Sequence, residues 1–221
     1  MLIYTATAQA EQTIHLVTPV DQQQAIGKAQ AQLIKTLFEL SQIPYTLSYR
    51  PARRAELELQ EQKFDGDAGR SAEFGLRYPK LIRVEPSYFP LYFYAISYEQ
   101  HIRQWSDLYG LDVAYPRGIV TVELQLGGRA NLNPNDSISA CIRMVKARRV
   151  QVCVLNSGTP VDHEFHSATP ALKKDEFARM GTHIWLDPKH QAVAKKLSRA
   201  LEKMQKDGSL ARFQQQITKL E

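Results

Sequence analysis

The 221-residue sequence has no run of about 18 apolar residues, so nothing in it reads as a helix that crosses a bilayer. No Gly-rich phosphate loop follows any strand-like stretch. GxGxxG and the P-loop pattern are both missing, which argues against a nucleotide enzyme. There is no GxSxG either, so a serine nucleophile on a strained elbow is unsupported. Zinc-knuckle spacing, an RNP-like aromatic run and a basic zipper are absent, which removes the common nucleic-acid modules. No fixed-period repeat points to a solenoid or propeller. Gly and Pro number 11 each, close to ordinary usage, so no collagen-like or linker segment is hidden. Cysteine is nearly absent, with only Cys141 and Cys153.

Present instead is the composition of a folded domain, 43% hydrophobic and 23% charged. Lys and Arg total 28 against 23 acids, a formal net charge of +5. The basic residues are scattered, and several, such as Lys195, Lys196, Lys203, Lys206 and Lys219, fall on helix faces. That pattern is a solvated surface rather than a nucleic-acid footprint. At the start, Ala8-Gln9-Ala10 forms the small-x-small pattern that precedes a signal-peptidase cut, and Met1–Tyr4 reads as the tail of an apolar stretch. Residues 1–10 are expected to be the remnant of a signal peptide, with Glu11 the mature terminus. Export permits a disulfide. A Cys141–Cys153 bridge, from a helix to the strand after it, and two buried thiols both remain open.

Periodicity gives a succession of strands and helices. Thr13–Thr18 is a strand closed by Pro19. Residues 24–40 form a helix with Ile26, Ala29, Leu33, Ile34, Leu37 and Phe38 at i, i+3, i+4 spacing. Tyr45–Tyr49 is a strand and Ala52–Gln62 a helix. Phe64–Gly66 begins a short strand or turn. Lys80–Val84 and Leu91–Ser97 are strands, and Ile102–Leu108 is helix-like. Leu111–Tyr115 is a strand before a Pro116-Arg117-Gly118 turn. Asn133–Asp136 reads as a loop leading to a helix over Ser137–Ala147, capped by Asp136 or Ser137. Val150–Leu155 is a buried strand, Asn156–Pro160 a turn, and Pro170–Met180 contains a short helix. His183–Leu186 is a strand, Asp187-Pro188 a helix start, and helices then run to Lys206 and to Leu220. The alternation gives an α/β class with largely parallel sheets.

Few of these segments carry motifs for chemistry. His163-Glu164-Phe165-His166 is not HExxH and follows Pro160, so it reads as loop histidines rather than a metal site. Asp65 and Asp67 alternate in a strand-like stretch and would share a face; with Asp21 they are the candidate acids for an enzyme. The arginines are more informative. Arg53, Arg54, Arg70, Arg77 and Arg117 fall in turns or at element ends, and a guanidinium fork suits a carboxylate. Ligand sites of α/β folds lie beyond the carboxyl ends of strands, where these arginines are placed.

Three segments in order, Pro51-Ala-Arg-Arg-Ala, Lys63-Phe-Asp-Gly-Asp-Ala-Gly-Arg70 and Pro79-Lys-Leu-Ile-Arg-Val84, resemble the first lobe of the family 3 extracellular solute-binding proteins. Trp105–Gly118 resembles the opening of that family's second lobe. Met144–Val154 resembles the helix-turn-strand that closes it, and His183–Glu221 the return strand and C-terminal helices. The resemblance implies an α/β, two-lobed type II periplasmic-binding-protein architecture with two crossovers. Lobe one would be 11–96 plus 183–221, and lobe two 97–182. A small polar or anionic solute, an amino acid or carboxylate, would sit in the cleft between them.

Carried over position by position, the resemblance puts Arg77 where the family's carboxylate-binding arginine sits, with Arg70 a competitor. It gives Arg117 and Gly118 the lobe-two turn whose backbone N–H groups hold an anionic group. Asn156 takes the place where amino-acid binders put an Asp for the ligand ammonium. Two departures stand out: Asn156 is neutral, and Thr18-Pro-Val-Asp-Gln-Gln-Gln lacks the aromatic-Pro-Pro-aromatic segment that supplies a stacking ring. Tyr94, beside Tyr92, is the replacement candidate. The resemblance further implies a periplasmic monomer that works with a membrane permease, performs no bond chemistry, needs no metal or cofactor and binds no nucleic acid. The alternatives are a degenerate sensor or partner-binding protein without a transported ligand, and a cleft-carboxylate dehydratase on the same fold.

Overall fold

A computed structural model of the chain describes residues 12–21, 23, 25–158 and 172–217. The expected signal remnant at 1–10 and the His163/His166 pair lie outside the described residues. The elements run β1 (Ile14–Thr18), α1 (Ala25–Leu40), β2 (Tyr45–Tyr49), α2 (Ala52–Gln60), β3 (Gly66–Ser71), α3 (Phe74–Arg77), β4 (Ile82–Arg83) and β5 (Phe89–Ser97). There follow β6 (Asp112–Pro116), α4 (Val120–Leu126), β7 (Asn131–Asn135), α5 (Ile138–Lys146), β8 (Val152–Ser157), β9 (Lys173–Leu186), α6 (Gln191–Lys206) and α7 (Ser209–Ile217).

The strands form one continuous path, β2-β1-β3-β9-β5-β8-β6-β7, with β4 also on β9. Its outer thirds are parallel, β2-β1-β3 at one end and β8-β6-β7 at the other. Its middle is antiparallel, because β5 and β9 run past each other from Phe89↔Thr182 to Ser97↔Lys173. The expectation of largely parallel sheets therefore holds at the two ends and is corrected in the middle.

Two principal cores flank this middle. One gathers Ile14, Leu16, Leu33, Ile34, Leu37 and Phe38 from the N-terminal half with Ile184, Leu197, Leu201 and Met204 from the C-terminal end. The i, i+3, i+4 stripe of α1 and the Ala194-Leu197-Leu201-Met204 stripe of α6 meet there, which is why both helices were legible. The second core gathers Phe93, Ala95, Val113, Val122, Leu126, Val152, Val154 and Phe177. These are the two lobes, and β5 and β9 each pass from one core to the other.

Several local choices follow from backbone chemistry. Ser137 caps α5, its Oγ accepting from the Ala140 N–H at 3.1 Å. Asp187 opens the C-terminal helical segment, accepting from the Lys189 N–H at 3.0 Å ahead of Pro188. Gly66 is a glycine because a Cβ there would lie 2.3 Å from the Trp185 carbonyl on β9. In lobe one a buried polar chain links three elements: Thr18 Oγ1 donates to Gln30 Oε1 at 2.8 Å, and Gln30 Nε2 donates to the Tyr88 hydroxyl at 2.7 Å. That hydroxyl donates in turn to the Ala68 carbonyl.

Other expectations are corrected. Lys173–Met180 is strand, not helix: its ladder with β5 satisfies the backbone that its helix-forming Lys, Glu and Arg would otherwise coil. Asn131–Asn135 is an edge strand, not a loop, and Pro134 is tolerated there because an edge needs fewer N–H donors. Asn156 and Ser157 lie in β8 rather than in a turn. The strand expected near Phe64–Gly66 runs on to Ser71, and the helix-like 102–108 narrows to a 3-10 turn over Trp105–Leu108. The short helices α3 and α4 were not anticipated.

The cysteine question is answered. Cys141 on α5 and Cys153 on β8 form a disulfide with their Cα atoms 5.6 Å apart and a sequence separation of 12. Closing a loop of that length stabilises by about 3 kcal/mol. Reduction is expected to lower the melting temperature by roughly 6–12 °C. Melts with and without dithiothreitol, with thiols counted by mass spectrometry, check this; an unchanged melt with two free thiols would contradict it.

Candidate functional site

The lobes meet where α2 and α3 of lobe one face α4 of lobe two. Arg77, the last residue of α3, stands at the seam. Its two terminal nitrogens reach different acids: Nη1 donates to Glu56 Oε1 on α2 at 3.1 Å, and Nη2 to Glu123 Oε2 on α4 at 2.8 Å. Glu123 Oε1 also accepts from the Tyr115 hydroxyl at 3.3 Å, and Glu56 accepts from the Tyr78 hydroxyl. Burial works against the Arg77 charge, but the bonds to Glu123 and Glu56 outweigh it and raise its pKa. Burial, then the neighbouring carboxylate, pushes the Tyr78 and Tyr115 hydroxyls up to about 12, so both remain proton donors at neutral pH.

Around this ionic bridge the seam is closely packed. Ser71 Oγ and Thr121 Oγ1 share a buried hydrogen bond of 2.8 Å across it. Leu59, Phe74, Val120 and Trp185 form an apolar cluster with Phe64, Tyr78, Leu81 and Leu124 against them. Gly118 has φ +90°, and a Cβ there would come within 2.5 Å of the Ala52 Cβ. Farther along the seam a Cβ on Gly158 would meet Ile26 Cδ1 at 2.8 Å.

The residues singled out from the sequence fall in different surroundings. Arg77 and Gly118 lie in the seam. Arg70 is buried beside it: Nε donates to Asp67 Oδ2 at 2.7 Å, Nη2 to the Ala52 carbonyl at 2.9 Å, and the guanidinium stacks 5.1 Å from the Phe74 ring centroid. Arg117 is exposed and donates to Asp136 at 3.1 Å, while its backbone N–H is taken by the Asn135 carbonyl at 2.8 Å. Asn156 is half-buried on β8 opposite Phe93. Tyr94 is buried on the other face of that strand pair, its ring 6.5 Å from Tyr92 and 5.5 Å from Lys174 Nζ.

Sequence reasoning missed Glu56, Glu123, Ser71 and Thr121. Glu56 looks like any surface acid of a charged helix. Glu123 left a trace: it is the only charge in VTVELQL, and an acid in an apolar run calls for a partner. Among the described residues no group of three His, Cys, Asp or Glu is arranged to hold a metal ion, and no helix is long and apolar enough to cross a membrane.

No protein-family model matches the sequence. An uncharacterized protein of Shewanella oneidensis is 24% identical over 226 aligned positions, covering 96% of this chain and 84% of that one. Among solved structures, the GluR0 ligand-binding core in complex with L-glutamate is similar with a TM-score of 0.70, at 11% identity, over 95% of this chain and 99% of that one. The amino acid ABC transporter substrate-binding protein AbpA of Streptococcus pneumoniae, bound to L-arginine, matches with a TM-score of 0.64 at 15% identity over 94% of each chain. An ancestral amino acid-binding protein described as a precursor of cyclohexadienyl dehydratase matches at 0.65 and 16% identity, over 93% and 95%. The fold is therefore the two-lobed α/β architecture of type II periplasmic binding proteins.

The candidate acids are engaged elsewhere. Asp67 accepts from the Gly69 N–H at 2.8 Å and from Arg70. Asp21 accepts from the Gln23 N–H at 2.9 Å. Asp65 ties three segments together, accepting from the His15 N–H at 3.0 Å, the His190 ring at 2.8 Å and Lys189 Nζ at 2.9 Å. Burial pushes its carboxyl up, but those three donors outweigh burial and bring its pKa down to about 2. The group is ionised at neutral pH and is no proton donor. A depressed pKa means that its contribution, about 2 kcal/mol, is fully present above about pH 4 and is lost as pH falls towards 2. The difference in melting temperature between the protein and Asp65→Asn is expected to be large at pH 7 and to narrow below pH 4. A difference that stays constant down to pH 2 would contradict this role.

Proposed function

We propose that the chain captures a small polar or anionic solute, an amino acid or a carboxylate, between its lobes for delivery to a membrane permease, without bond chemistry. The observation that carries this is Arg77. It is a guanidinium fork in the interlobe seam whose terminal nitrogens already hold carboxylates. The fold supports it, being shared with solved amino-acid-binding proteins over more than nine-tenths of each chain. In this reading lobe one is 11–96 with 183–221, and lobe two is 97–182. Arg77 grips the anionic group, and Arg70, held by Asp67, shapes the wall beside it. Gly118 and Asn156 complete the site from lobe two; Tyr94, buried on the opposite face of the β5–β8 pair from Asn156, and Arg117, whose N–H is taken by the Asn135 carbonyl and whose guanidinium pairs with Asp136, stand apart from it. The protein works as a periplasmic monomer. Its selectivity comes from a solute that touches both lobes and so favours the closed state.

A second reading has its own observation. The seam is packed by Gly118 on Ala52, by Ser71 on Thr121 and by the Leu59–Phe74–Val120–Trp185 cluster. Such packing suits a sensor or partner-binding protein that carries no solute. The dehydratase reading finds no support in Asp65, whose ionised carboxylate has no proton to give.

A thermal-shift panel of amino acids, organic acids and inorganic anions separates the first two. A solute at 100 times its Kd stabilises by about 2.7 kcal/mol, a rise of roughly 5–10 °C for a chain of this size. That rise is expected with one compound class and is expected to vanish in Arg77→Ala. No rise with any compound, together with a specific protein partner, would favour the second reading.

A further inference from the structure

One contact across the seam has the chemistry of a ligand. Arg77 has two carboxylate partners of different origin. Glu56 is on α2, in the same lobe as Arg77, and holds the guanidinium from behind. Glu123 is on α4 and comes from the opposite lobe. Both oxygens of Glu123 are used, Oε2 by Arg77 and Oε1 by Tyr115. A carboxylate brought by a solute from lobe two would compete with Glu123 for the Nη2 side of the Arg77 fork. The Glu123 side chain is also 33% exposed, so it can leave the fork for water without stranding a buried charge.

We propose that the Glu123 carboxylate is a built-in stand-in for the solute. It docks on Arg77 and latches the lobes together while the site is empty, and a carboxylate solute binds by displacing it. This rests on the reading that the seam is the solute site. The latch acts as a population tax. Only molecules with Glu123 displaced are competent, so the apparent Kd is the intrinsic Kd divided by the unlatched fraction. Gly118 against Ala52 and the Val120 cluster set how closely the latched lobes approach. The Tyr115 hydroxyl acts as a positioning group that orients Glu123.

The test compares the full chain with Glu123→Ala by small-angle X-ray scattering and by calorimetric titration with L-glutamate and L-arginine. Without solute, the unsubstituted protein is expected to scatter as a compact chain, with a radius of gyration of about 17 Å. Glu123→Ala is expected to be larger, to contract on addition of the bound amino acid, and to bind it about tenfold more tightly. A second variant, Ala52→Phe, wedges the lobes apart opposite Gly118 and supplies an open reference whether or not Glu123 matters.

An unsubstituted protein that already matches the wedged variant without solute would overturn the latch. So would a Glu123→Ala protein that stays as compact as the unsubstituted one. If Glu123→Ala opens yet binds neither amino acid nor any compound of the thermal-shift panel, Glu123 still holds the lobes together, but the solute reading fails and with it the role of Glu123 as a stand-in. If the unsubstituted protein is open and binds, the solute reading stands and the latch fails.

Discussion

Everything in this molecule hangs on the antiparallel ladder between β5 and β9. These strands pair over nearly their whole common length, from Phe89↔Thr182 to Ser97↔Lys173, and the register shifts once, between Phe93 and Tyr94. Phe89 of β5 and Ile184 and Leu186 of β9 enter the core built by α1 and α6, whereas Phe93, Ala95 and Phe177 enter the core of β6, β8 and α4. A ladder holds two strands at fixed spacing but resists twisting far less than a packed core resists compression. The ladder thus joins two densely packed interiors, and the seam formed by α2, α3 and α4 is the other place where they meet.

What was legible in the sequence follows from where each signal resides. The stripes of α1 and α6 were visible because each helix buries one face on a single core, and a single face writes a 3.6-residue period. The first half of β9 was not, because KKDEFARM shows a helix former's composition and places only Phe177 fully inward. Its strand state comes from β5, about 80 residues away in sequence, and local propensity cannot report a partner that distant. The helix α4 was hidden for a related reason. Its β-branched Val120, Thr121 and Val122 argue for a strand, yet Val120 packs into the seam and Val122 into the lobe-two core.

The site was half legible on the same principle. Arg77 announced itself as a guanidinium at an element end, and Arg70 beside it was just as conspicuous. Nothing local separates the two. The separation lies in Asp67, Ala52 and Phe74, which enclose Arg70, and in Glu56 and Glu123, which reach Arg77 from two lobes. Asp65 shows the converse: an acid that looked catalytic beside Asp67 proves to be a joint between β1 and the start of the C-terminal helices. Charge alone marks where a partner is needed, and only the fold says which partner.

The disposition of the two cores also sets an order of assembly. The lobe-two core draws on one unbroken stretch of chain, and its Cys141–Cys153 bridge closes between neighbouring elements. The lobe-one core needs Ile14 to Phe89 together with Ile184 to Leu210, so its two parts are separated by the whole of the other lobe. During vectorial synthesis the inserted lobe has all its partners first, whereas the N-terminal segment waits with α1's apolar stripe uncovered until α6 arrives. Truncation of the last helices would thus leave a well-formed, disulfide-closed lobe two attached to an N-terminal segment with no core of its own.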